Sequence, residues 1–265
     1  MLVSSVVIIL REVLEAALMI SVLLAVTRFL QLRTRWVAFA MIFGAFGAAA
    51  YGYFLDPVSN LFDGVGQELL NAMLQFGVFA ALAAIVFHIA CQRNAPSDDD
   101  AVLPALMATA VALAVTREGS EILIYVSGFV QMSDFLSSVG VGSLAGAGIG
   151  FSIGVLFYYL LLAIPTGRAL LISLILLSLT ASGMCAQATQ LLIQADWISV
   201  SGSLWDTSGY VPEGSLPGQL LYALIGYEAT PSATEVIVYV ASLTIMAASF
   251  CVGWVIGSNR IASPQ

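Results

Sequence analysis

Seven long apolar stretches constrain this chain more than any other feature. They cover residues 2–26, 36–55, 67–90, 101–130, 141–163, 169–193 and 234–257, separated by short polar or Pro/Gly-marked segments. A helix needs roughly 20 apolar residues to cross the hydrocarbon core of a bilayer, and each stretch supplies them. A soluble domain is excluded, because only 9% of residues are charged, against about 25% in soluble proteins. The chain therefore reads as an all-α integral membrane protein: one polytopic domain with seven transmembrane helices. The first stretch lacks a basic n-region and carries three charges in its middle, so it is expected to stay in the mature chain rather than be cleaved as a signal peptide.

Orientation follows from the eight basic residues, all of them arginine. Arg28, Arg33 and Arg35 follow the first run, Arg93 the third, Arg168 the fifth and Arg260 the seventh. All six fall on one side of a seven-span chain. The positive-inside rule then places the N-terminus outside and the C-terminus in the cytoplasm. The opposite face is acidic, with Asp56, Asp63, Asp134, Asp196, Asp206, Glu213, Glu228 and Glu235 on or near it. Such a face attracts cations and repels anions. With a net charge of −8 and no lysine, nucleic acid is not an expected partner; membrane lipid is. Asp98, Asp99 and Asp100 are expected to cap the fourth helix.

The remaining two arginines lie inside apolar runs. Arg11-Glu12-Val13-Leu14-Glu15 sits in the first run and Arg117-Glu118-Gly119-Ser120-Glu121 in the fourth. A charge at the bilayer centre costs about 2.5–3.5 kcal/mol on insertion scales, so two copies of one charged pattern require a function. On a helix the arginine and second glutamate are at i, i+4 and the two glutamates at i, i+3, so all three share one side. The arginine can hold one carboxylate ionised while the other meets a cation. Together the motifs offer four carboxylates against two arginines.

Carboxylate oxygens suit hard cations. The single histidine, His88, and the absence of closely spaced methionines argue against a copper or typical zinc site. Cys91, Cys185 and Cys251 are far apart and form no disulfide framework or thiolate motif. The rival structural reading is an internal salt-bridge network that locks the first and fourth helices together. No catalytic constellation is visible, so the chain is not read as an enzyme, and no tightly bound cofactor is expected.

An internal repeat ties the motifs together. A shift of 106 residues carries Arg11, Glu12 and Glu15 onto Arg117, Glu118 and Glu121, Gly44 onto Gly150, and Ala48 onto Gly154. Residues 1–95 and 96–195 thus form two three-span repeats. Three is odd, so the second enters the membrane from the opposite side. This is the inverted 3+3 architecture of many secondary transporters, with the site between the halves. Residues 196–265 add an outer segment and a C-terminal helix. Gly142, Gly146, Gly150 and Gly154, with Gly44, Ala48 and Gly52 as counterpart, provide flat faces for close helix packing.

These motifs resemble those of the oxidase-dependent iron permeases, the fungal high-affinity and bacterial Efe-type proteins that carry Arg-Glu-Gly-Leu-Glu in helices 1 and 4. Val13 replaces the glycine in the first copy and Ser120 the leucine in the second. Gln67-Glu68-Leu69, Leu204-Trp205-Asp206 and Gly226-Tyr227-Glu228-Ala229-Thr230-Pro231-Ser232 are similar as well. The resemblance implies a bacterial plasma-membrane permease that imports iron, as Fe(II) or Fe(III). Glu12, Glu15, Glu118 and Glu121 would bind the ion, and Arg11 and Arg117 would tune them. It also implies an extracytoplasmic oxidase, peroxidase or iron-binding partner. Three alternatives stay open: a carrier of another divalent metal such as manganese or lead, a proton-coupled cation exporter, and a non-transporting membrane subunit of an oxidase complex.

Weaker candidates complete the reading. Glu68 is a candidate outer ligand for the incoming ion, and a dipole-favoured acid at a helix start explains it equally well. Gln187, Gln190 and Gln194 share one face of the sixth helix and suit interhelical hydrogen bonding. His88 suits a local hydrogen bond better than an exit ligand. In the outer segment, Leu216 to Ile225 is expected to form a short interfacial helix. Ser232-Ala233-Thr234-Glu235 is expected to form a capping box.

Overall fold

The computed structural model describes residues 2–92, 101–129, 133–199 and 201–262. The aspartate run at 98–100 and Arg93 lie outside the described residues, as do the side chains of Asp134 and Arg260. The described residues form helices α1 (Leu2–Phe29), α2 (Arg35–Tyr53), α3 (Leu55–Ser59), α4 (Gly66–Gln92), α5 (Val102–Ser127), α6 (Ser133–Leu162), α7 (Thr166–Gln194), α8 (Leu216–Ile225) and α9 (Ala233–Ala262), with no strand among them. Seven of these correspond to the seven apolar runs. The main departure is α6, which begins at Ser133 rather than near residue 141. Its small polar start reads as a loop in sequence, yet it stays helical where Gly142 meets the first turn of α1.

Among the described residues, six helices are long and apolar enough to cross a membrane: α2, α4, α5, α6, α7 and α9. The protein is thus a multi-pass membrane protein. The three motif charges keep α1 out of that set, although its 28 residues would span about 42 Å at 1.5 Å per residue. Burial separates centre from periphery. In α7, 61% of the apolar window is buried inside the bundle, against 17% in α9 and 22% in α6. Phe39, Phe43 and Phe46 of α2 and Leu144, Phe151 and Leu156 of α6 point outward, as lipid-facing side chains do.

Small residues set the closest approaches. The stripe on α6 packs along α1 in parallel: a methyl group added to Gly146 would lie 2.5 Å from the Val6 carbonyl oxygen, and one on Gly154 2.8 Å from the Ala17 Cβ. At that approach the Ser21 hydroxyl donates to the Gly154 carbonyl at 2.7 Å. In the same way α2 runs parallel to α5, with Gly44 against Val115 and Ala48 against Gly119. The remaining long helices pack α4 against α5, α7 and α9. A large apolar core, including Leu23, Leu82, Ile85, Met107 and Leu177, fills the bundle away from the charges.

Helix α8 is fixed over this bundle by local chemistry. The Ser215 side chain caps its start by accepting from the Gly218 amide at 3.2 Å. Gly226 ends it in the left-handed conformation, φ +67°, and packs so closely on Gly183 of α7 that a methyl on either would meet the other's backbone. The Thr180 hydroxyl donates to the Leu224 carbonyl at 2.9 Å. The capping box at α9 also forms: the Ser232 amide donates to Glu235 Oε2 at 2.6 Å and the Glu235 amide to Ser232 Oγ at 3.3 Å.

Gly146→Val should destabilise the purified protein by about 1–3 kcal/mol through overpacking against α1. Gly148, with open space at its Cβ position, should accept alanine without loss. Thermal unfolding in detergent checks both.

Candidate functional site

The charged motifs meet where α1 faces α5. Glu12 and Glu15 project from α1, one turn apart, and Glu118 from α5; each offers an oxygen, and these three atoms lie within 4.8 Å of one another. All three side chains are buried, at 7%, 4% and 2% exposure. Trans ligands on a small hard cation, at about 2.0–2.1 Å each, stand about 4.2 Å apart. Cis ligands stand closer still, so three oxygens all within 4.8 Å of one another are grouped on the scale of one ion's coordination sphere.

Arg117 is the positive centre of the cluster. Its Nη1 lies 2.7 Å from Glu118 Oε1 and 3.1 Å from Glu15 Oε2, and its Nε lies 3.1 Å from Glu121 Oε1. The Nη1 contacts are hydrogen bonds, whereas Nε is paired by proximity without hydrogen-bond alignment. One guanidinium thus joins carboxylates of both helices, which a planar, permanently charged fork can do and an ammonium cannot do as well.

Carboxyl groups outnumber guanidiniums in the cluster. Glu12 Oε2 and Glu118 Oε2 are buried and accept no hydrogen bond. The Oε1 of Glu15 likewise accepts none, with Arg11 Nε at 3.5 Å as a longer-range charge partner. The Glu12 and Glu118 side chains also contact each other directly. Two carboxyl groups in contact cannot both stay charged unless a proton or a metal ion lies between them, and buried oxygens without donors are the atoms that would meet it.

The second arginine behaves differently. Arg11 is 44% exposed at its side chain and stacks over the Tyr222 ring of α8, with its Cζ 4.0 Å from the ring centroid. The two motifs are alike in sequence and unequal in structure. Glu121 is also at the edge, 28% exposed, held by Arg117 and by the Asn71 side-chain amide at 3.4 Å. Of the six residues expected at the site, Glu12, Glu15, Glu118 and Arg117 come together, Glu121 joins through Arg117, and Arg11 flanks the cluster.

Glu68 lies in the first turn of α4, with its Oε2 buried and accepting no hydrogen bond. Gln187 accepts from Gln75 Nε2 at 2.7 Å. Gln190 and Gln194 line a polar cavity of about 380 Å3 together with Glu213, Glu228 and Glu235. His88 lines a separate apolar cavity of about 480 Å3 between α4, α7 and α9. Sequence reading missed Tyr222, Asn71 and Gln75. The last two carried a signal, since they stand at helical spacing from Glu68 within an apolar run. The contact of Tyr222 with Arg11 joins distant segments and left none.

In this polar cavity, burial and the neighbouring carboxylates of Glu235 and Glu213 push Glu228 up from 4.5 to about 7. Glu213 is committed to the Ala229 amide, 2.8 Å from its Oε1.

The described residues thus form a bundle of membrane-length helices packed around a cluster of buried carboxyl oxygens, an architecture suited to a membrane permease. The chain belongs to the iron permease FTR1 family, which it matches over residues 2–262. It is 29% identical over 252 residues to the ferrous iron permease EfeU of Escherichia coli O157:H7 and to that of Shigella sonnei, covering 88% of this chain and 89% of each relative. It is 26% identical over 249 residues to the ferrous iron permease EfeU of Yersinia pestis, covering 86% of both. No solved structure matches.

Two outcomes follow. Arg117→Met should destabilise the protein by about 3–5 kcal/mol, because it strands buried carboxylates. Arg11→Met, at a half-exposed pair, should cost about 1 kcal/mol or less; denaturant unfolding in micelles compares them. The raised pKa of Glu228 means that the folded segment keeps a proton the unfolded chain releases near 4.5. Its stabilising effect is therefore full below that value and is lost as pH rises through about 7. Hydrogen exchange over residues 226–232 should quicken from pH 5 to pH 8 by more than the intrinsic rate, and Glu228→Gln should remove the excess.

Proposed function

We propose that this protein imports iron ions across a bacterial plasma membrane through the carboxylate cluster of Glu12, Glu15, Glu118 and Glu121. The observation that carries the reading is the set of three buried glutamates from two helices whose oxygens converge within 4.8 Å, with more carboxyl groups than guanidiniums around Arg117. Hard oxygen ligands alone do not select iron over manganese or lead. The family and the ferrous iron permease relatives favour iron.

The topology proposed is seven spans with the N-terminus outside and the C-terminus in the cytoplasm, built as an inverted 3+3 repeat (1–95 and 96–195) followed by residues 196–265. Two packing features support it. The first is the parallel course of α1 with α6 and of α2 with α5, which fits an even number of crossings from one member to the other and favours α1 as a span. The second is the exchange of partners: the first helix of each repeat packs on the second helix of the other. Arg117 pairs with Glu15, Glu118 and Glu121 and orients them, and Arg11 tunes Glu15 from the flank. An extracytoplasmic oxidase or iron-binding protein would meet the outer segment that contains α8.

In proteoliposomes, Glu12→Gln, Glu15→Gln and Glu118→Gln should each reduce iron uptake to background while the protein remains inserted. Wild-type uptake by these variants would refute the site. Uptake of manganese or efflux of protons without iron flux in wild type would favour the rival carriers, and no flux at all the non-transporting subunit.

A further inference from the structure

Beside the carboxylate cluster, α4 carries a row of oxygens with nothing bound to them. Asn71 and Gln75 are 4% and 1% exposed, and Asn71 Oδ1 and Gln75 Oε1 are buried and accept no hydrogen bond. Glu68 Oε2 is in the same condition. At i, i+3 and i+7 the three residues lie on one face of α4, each about one helical turn from the next. The nitrogens of both amides are already committed. Asn71 Nδ2 donates to Glu121 Oε1 at 3.4 Å, and Gln75 Nε2 donates to Gln187 Oε1 at 2.7 Å. Each hydrogen bond turns the carbonyl oxygen of its amide to the other side.

A purely structural polar pair in a membrane interior would satisfy both ends of each amide, because a stranded oxygen there has no water to turn to. Amide oxygens are hard, neutral ligands for cations. We propose that Asn71 and Gln75 are ion-binding residues, forming a neutral oxygen subsite on α4 through which iron passes to or from Glu121 and the carboxylate cluster. The proposal rests on the iron-permease reading above. A multivalent ion held only by carboxylates would be slow to leave, and conduction requires a neighbouring position that binds more weakly. Asn71 is placed for that exchange, since its amide already touches Glu121, which Arg117 ties to Glu118 and Glu15.

The test compares Fe(II) flux, kept reduced with ascorbate, in proteoliposomes with equilibrium Fe(II) binding to the full-length protein in detergent. Asn71→Leu and Gln75→Leu should lower the initial rate by about tenfold or more while leaving cluster affinity within twofold of wild type. Because the leucine variants can misfold, Gln75→Glu is the second arm: it keeps polarity, and it should bind Fe(II) more tightly yet turn over more slowly. Folded leucine variants with wild-type flux, or a Gln75→Glu variant with unchanged affinity and turnover, would overturn the proposal. Failure of the underlying reading looks different, as wild type would carry no iron or Glu118→Gln would bind it normally.

Discussion

The structure depends on one buried cation. Arg117 sits among Glu15, Glu118 and Glu121 and so fastens α1 to α5 at the depth where charge is most expensive. Without it, three carboxylates would face one another in a medium that cannot screen them. With it, they remain close but not fully satisfied, because a single guanidinium cannot supply donors to every oxygen. The orphaned oxygens of Glu12 and Glu118 are the consequence. The same imbalance that burdens folding leaves the oxygens on which the proposed iron site rests.

Close helix packing makes that arrangement possible. The glycines of α6 let α1 lie almost backbone to backbone along it, and Gly44 and Gly119 do the same between α2 and α5. The two helix pairs are not in identical register. Gly150 meets Val13, but its repeat counterpart Gly44 meets Val115 rather than Gly119, which lies instead on Ala48, a slip of one turn. The unequal arginines accompany this slip: Arg117 is enclosed, whereas Arg11 reaches α8 and stacks on Tyr222. Helix α8, pinned by Gly183 and Gly226, thereby connects the segment between α7 and α9 to the charged cluster.

The long helices were legible in sequence because hydrocarbon-length apolar runs allow few other structures. The capping box and the short helix over residues 216–225 were legible for local reasons, since each is decided within a few residues. The motif spacing also carried the convergence of Glu12, Glu15 and Glu118, once the repeat had paired the first and fourth runs. What could not be read was inequality. Two copies of Arg-Glu-x-x-Glu look equivalent, and only tertiary packing buries Arg117 while leaving Arg11 half exposed. The start of α6 was misread as a loop because serine and glycine are weak helix formers alone, and its contact with α1 is not local. Asn71 and Gln75 were passed over because isolated amides in an apolar run usually serve helix packing.

The central claim is that an iron ion is held between Glu12, Glu15 and Glu118 beside Arg117. Anomalous scattering at the iron absorption edge, from crystals of the protein grown with Fe(II), tests it most directly. The account predicts an anomalous peak within bonding distance of oxygens from all three glutamates, lost in the Glu118→Gln protein. Iron bound elsewhere, with these carboxylates closed on Arg117 alone, would contradict it.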